Sequence, residues 1–90
     1  MSQHYFFPPA RAYALNRCLF RLKSDAAFRA RYLADAEAAL DETGLDAPAR
    51  AALRDRARDR LIALGAHPYL VFMADLRIGM ERSSGSFEHF

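Results

Sequence analysis

The sequence predicts an all-α fold: one compact multihelical domain spanning residues 1–90, with about four helices between irregular aromatic arms at 1–9 and 80–90. Three observations carry this expectation. Alanine is the commonest residue, at eighteen of ninety, while β-branched residues are almost absent, a balance that favours helix over strand. Apolar residues recur at i, i+3, i+4 and i+7 rather than at alternate positions. The periodic stretches stop at glycines, or restart after capping residues and prolines.

Pro8 and Pro9 close the N-terminal arm with its Tyr5, Phe6 and Phe7. The first helix follows, with Leu15, Cys18, Leu19 and Leu22 on one face and Arg11, Arg17 and Arg21 largely on the other. Ser24 or Asp25 caps a second helix, in which Phe28, Tyr32, Ala36 and Leu40 recur every four residues until Gly44 supplies a stop. Asp46, with Ala47 and Pro48 behind it, starts a third. Leu53, Ala57, Leu61 and Leu64 are its apolar stripe, and Gly65 ends it. Pro68 opens a fourth helix, whose Tyr69, Phe72, Met73 and Leu76 fit one apolar face before Gly79 closes it. Beyond it, residues 80–90 lose the period and turn Ser/Gly-rich, the composition of a loose tail.

Ninety residues leave no room for a multidomain enzyme or a deep enclosed site. Thirteen basic residues, twelve of them Arg, face eleven acidic ones for a net charge of +2, too little to predict nucleic-acid or membrane binding from charge alone. No apolar run approaches membrane-spanning length. Cys18 is the single cysteine, so no internal disulfide forms, and the N-terminus lacks the pattern of a signal peptide. A cytoplasmic protein is expected.

The chain is poor in chemistry. His4, His67 and His89 are far apart and lack the paired spacing that brings two metal ligands onto one helix face, so no cofactor is expected in this chain. His67, before Pro68, reads as a capping or surface residue. Cys18 lies on an apolar face as a small hydrophobe. The isolated glycines make no phosphate loop. The segment from Arg50 to Arg60 holds five arginines but also two aspartates, the pattern of a solvated face more than of a nucleic-acid contact helix. What remains is an excess of rings at the two ends, Tyr5, Phe6 and Phe7 against Phe87 and Phe90. A core this small has limited capacity for them, so they either fold back over the bundle or pack on another chain.

From Phe28 to Tyr69 the sequence runs FRARYLADAEAALDETGLDAPARAALRDRARDRLIALGAHPY. An Arg/Phe turn, Ala34-Asp35, Glu37-Ala38, Leu40-Asp41-Glu42, Leu45, an Ala/Arg-rich helix, Ile62, Gly65 and Tyr69 follow in an order that resembles the small α subunit of protocatechuate 4,5-dioxygenase and its relatives. The resemblance implies a non-catalytic all-α subunit seated on a large subunit in an α2β2 assembly. That partner would hold a non-haem Fe(II) on two histidines and a carboxylate and open a catechol-type ring beside the diol. In the family a Ser-Phe pair beyond the last apolar helix helps cover the substrate pocket; Ser86 and Phe87 match it. An aromatic ring there would exclude water and contact a flat substrate. Phe6, Phe7, Tyr69, Phe72, Met73, His89 and Phe90 are then the residues expected to meet the partner. The short form also resembles small subunits of enzymes acting on other catechols, which leaves the substrate open.

Two other readings compete. One is a stand-alone helical interaction module, with a homodimer as one form of it, that retains the fold without dioxygenase activity. The weaker one is a nucleic-acid binder using Arg50, Arg54 and Arg58.

Overall fold

The computed structural model describes the backbone of residues 10–87 and the side-chain surroundings of residues 11–83. Among the described residues six helices make up the bundle: α1 (Ala10–Ser24), α2 (Ala26–Ala34), α3 (Ala36–Asp41), α4 (Ala47–Arg54), α5 (Arg58–Ala63) and α6 (Pro68–Phe87). The fold is all-α, and no strand occurs among the described residues. The order of the apolar stretches agrees with the sequence, but two expected helices are each broken in two and the last is longer.

The first break is made by Asp35. Its extended backbone lets its N–H close α2 on the Arg31 carbonyl at 2.9 Å, while its carboxylate accepts the Ala38 N–H at 3.2 Å and opens α3. A short acidic side chain that competes for backbone donors ends one helix and caps the next. The second break is at Arg56, which adopts φ 51°. Arg56 N–H bonds to the Leu53 carbonyl at 3.1 Å and Ala57 N–H to that of Ala52 at 3.0 Å. This is the pair of bonds that a left-handed residue makes at a helix end, a place where glycine is usual. Gly65 makes the same turn after α5 with φ 109°, and a Cβ added there would lie 2.7 Å from the Ala12 Cβ. Free rotation and a close approach to α1 are both required of Gly65.

Asp25 and Asp46 are the expected caps: their carboxylates accept the Phe28 and Ala49 N–H groups at 3.0 and 3.1 Å. Backbone bonds to the charged form hold Asp25 below the usual carboxylate range, the Phe28 N–H foremost. For Asp46 the leading cause is the Arg11 side chain, followed by the Ala49 N–H.

The core is one cluster built on Leu15, Cys18, Leu19 and Leu22 of α1, Phe28 and Tyr32 of α2, and Leu40, Leu53 and Leu61 from the following elements. Arg21 lies over the buried Phe28 ring, 4.0 Å from its centroid. Arg29 is itself buried. One of its guanidinium nitrogens donates to the Leu22 and Lys23 carbonyls at 2.8 and 3.2 Å, satisfying the end of α1 from inside. Arg50, held by Glu37 and Asp41 at 3.0 and 2.7 Å, ties α4 to α3, and Arg54 reaches Glu37 at 2.6 Å.

Candidate functional site

Helix α6 is positioned from α1. The Asn16 side chain donates to the Gly65 carbonyl at 3.1 Å and accepts the His67 N–H at 2.7 Å, so one amide satisfies both sides of the turn that precedes α6. His67 in turn accepts the Tyr69 N–H on Nδ1 at 3.1 Å, which is the capping role expected of it.

From there α6 turns a face into the core that the spacing did not select. Val71, Ala74 and Ile78 are buried. The stripe read as its apolar face points the other way: Tyr69, Phe72 and Leu76 are 55%, 58% and 43% exposed, with Met73 half-buried beside them, and Met80, 53% exposed, continues it. The physical reason is volume. A bundle whose partner helix α1 already supplies three fully buried leucines accepts the small and branched side chains of α6, not its rings. A helix apolar on both faces is normally covered on both.

The stripe has neighbours. Tyr13, Asn16 and Phe20, three and four residues apart, share one flank of α1, and the Asn16 bonds set that flank against the start of α6. Tyr13 and Phe20 are 60% and 53% exposed, the Tyr13 hydroxyl accepting a long 3.4 Å bond from Arg17 and Lys23 standing 5.2 Å from the Phe20 ring. Half of a large aromatic surface is roughly 100 Å² per ring. On α6 alone, Tyr69 and Phe72 with Leu76 and Met80 approach the few hundred Å² that mark a partner surface. Sequence reasoning missed Tyr13, Phe20 and Met80; the available signal was two rings seven residues apart on the otherwise charged side of α1.

Gly79 does not end α6. The helix passes through it, with open space where a Cβ would be, and carries the backbone of Ser86 and Phe87 in helix. The stretch 80–87, expected to be irregular, is thus helical, because Met80, Glu81 and Arg82 are sound helix formers and one glycine costs only about 1 kcal/mol. Phe6, Phe7, His89 and Phe90 lie outside the described residues.

Of reactive groups, Cys18 is buried, and burial pushes its thiol up to about 12 against a smaller opposing effect of Arg21. A thiol in that state is a poor nucleophile at neutral pH. Among the described residues no three His, Cys, Asp or Glu side chains stand together as a metal would need, so they do not fit an iron centre. No helix among the described residues is long and apolar enough to cross a membrane. What the arrangement offers is a surface.

Residues 15–84 match the family described as the LigA subunit of the aromatic-ring-opening dioxygenase LigAB. No curated protein and no solved structure matches the chain.

Proposed function

The chain belongs to the LigA-subunit family of aromatic-ring-opening dioxygenases, and from that premise we propose that it works as the non-catalytic small subunit beside a large subunit that opens catechol-type rings. The observation that carries the reading is the outward stripe of α6, four large apolar side chains each about half exposed on a chain of ninety residues. In this reading Tyr69, Phe72 and Met73, joined by Leu76 and Met80, dock on the large subunit. Phe87 stands seven residues after Met80 in the same helix, the register of the stripe itself. Two turns carry it about 10 Å further along the axis, so that Ser86 and Phe87 reach the rim of the partner's substrate pocket and help to cover it. The Fe(II) with its two histidines and carboxylate, and cleavage beside the diol, belong to the large subunit; α2β2 is the assembly proposed.

Co-expression with the large ring-opening subunit of the same source tests this. The double substitution F72E/L76E places two charges in the stripe, and the complex is expected to be lost on size-exclusion chromatography while the helical circular dichroism of the chain stays unchanged. Continued co-elution of that variant overturns the docking reading, as does ring opening by the purified chain alone. Phe87→Ala is expected to keep the complex but lower turnover or change substrate preference; unaltered kinetics remove the pocket role. A homodimer dispersed by F72E/L76E, with no binding of the large subunit, favours the stand-alone module instead.

A further inference from the structure

A cavity of about 280 Å³ opens between α1, α2, α4, α5 and α6, walled by Leu19, Leu22, Leu53, Leu61, Ala74 and Ile78. It approaches the size of ordinary small-ligand pockets and is nearly twice the roughly 150 Å³ of an engineered void that admits benzene. Ala74 is one reason it exists: a methyl group stands on α6 where the facing residues are leucines. Two aromatic residues, Tyr32 and Phe72, also line it.

Its mouth is cationic. Arg56 and Arg58 both line the cavity together with Asp75, but Asp75 is taken up by Arg56 at 2.5 Å. Among the described residues neither Arg58 nor Arg82 has an acidic side chain within ion-pair distance, whereas Arg54 is held by Glu37. Of the two unpaired arginines, Arg82 is the one whose charge is felt at Tyr32. Burial is what mainly raises the Tyr32 hydroxyl, helped by Cys18, and Arg82, Arg54 and Arg56 all act against it. An apolar chamber under an unneutralised guanidinium selects for a molecule with an apolar body and an anionic end. The planar fork of Arg matches a carboxylate, and a single unpaired Arg on the wall is too little charge for a phosphate.

We propose that this cavity is a binding site for a small amphipathic carboxylic acid, its apolar body among Leu22, Leu53, Ala74 and Ile78 and its carboxylate at the mouth beside Arg58. The site shares Phe72 with the outward stripe, but its leucine walls and its arginine are its own. It needs no second protein, so it stands or falls independently of the docking reading.

The full chain, methyl-labelled for NMR and titrated with octanoate, tests the proposal. Octanoate shifts the methyl signals of Leu22, Leu53, Ala74 and Ile78. Each methylene from butanoate upward tightens binding by about 3- to 4-fold until the cavity is filled, after which the gain stops. Arg58→Gln, at an exposed position that does not threaten the fold, weakens octanoate about tenfold, and 1-octanol binds about as weakly to the parent chain. Ala74→Met, which fills the chamber, abolishes binding. Equal binding of octylamine and octanoate overturns the proposal, because it shows apolar adhesion without charge selection. Shifts confined to Leu76 and Met80 overturn it in favour of contact with the stripe. So does the absence of any shift, the result expected if only a partner's side chain fills the cavity.

Discussion

Helices α1 and α6 lie against each other, yet their sequences are written differently. In α1 one face is apolar and buried, with Leu15, Leu19 and Leu22 essentially inaccessible, and the opposite face is mostly charged. In α6 the inner face is the smaller one, Val71, Ala74 and Ile78, and the larger apolar side chains point to solvent. A helix that only had to complete the bundle would follow the pattern of α1. The outer face of α6 is therefore explained by something beyond the fold of the chain, and substitutions on the two helices should separate stability from association.

The sharpest form of that contrast is a pair of leucine truncations. Leu22→Ala empties a fully buried position beside the cavity and is expected to destabilise the isolated chain by about 3 kcal/mol. Leu76→Ala, on the outward stripe, is expected to stay within about 0.5 kcal/mol yet weaken binding to a large subunit. Urea unfolding of the two variants checks it, and a large loss from Leu76→Ala would mean that the stripe serves the fold after all.

Cys18 gives α1 a second signature. Its thiol ionises near 12 in the fold but near its ordinary value of roughly 8.5 once unfolded. The unfolded chain therefore releases this proton first as the pH rises. Stability from the neutral buried thiol is complete below about pH 8.5 and is lost progressively toward pH 12, at up to about 1.4 kcal/mol per pH unit. Cys18→Ala should flatten this decline in thermal unfolding between pH 9 and 11, and a thiol reagent should react with the parent chain only as fast as it opens. Asp25 and Asp46 act at the other end: their lowered values support the fold above about pH 4, and that support goes as the pH falls through their folded-state values.

The buried side of α1, the caps at Asp25 and Asp46 and the stop at Gly65 were legible in the sequence because each depends on local spacing or on one residue's own chemistry. Three features were not. The period of α6 is satisfied by two opposite apolar faces, and only the space left by α1 decides which goes inward. Asp35 and Arg56 break their helices through bonds that periodicity does not register, although an aspartate three residues ahead of a helical N–H was a usable cue at Asp35. The outward Tyr13 and Phe20 share a flank of α1 with Asn16, whose bonds to Gly65 and His67 cross 49 and 51 residues, a placement that no local pattern encodes. Of the residues expected to meet a partner, Tyr69 and Phe72 lie on the open stripe with Met73 half-buried beside them; Ser86 and Phe87 are placed only by their helical backbone.

The left-handed turns at Arg56 and Gly65, on either side of α5, give the finest test of how α6 is held. Gly65→Ala should cost about 2 kcal/mol, since its φ of 109° strains any Cβ and that Cβ meets Ala12. Arg56 is already a side chain in the left-handed region, and its guanidinium reaches Asp75 on α6 at 2.5 Å. Arg56→Gly relieves roughly 1–2 kcal/mol of backbone strain. It also frees the unfolded chain by roughly 0.5–1 kcal/mol and removes a surface ion pair of at most about 1 kcal/mol. The three terms nearly cancel, so its stability should stay within about 0.5 kcal/mol of the parent. Arg56→Ala keeps the strain and loses the pair, and should be the less stable of the two by about 1 kcal/mol. If thermal unfolding instead ranks Ala above Gly, the turn is not strained, and the Arg56–Asp75 pair has no backbone cost to offset in tying the break between α4 and α5 to α6.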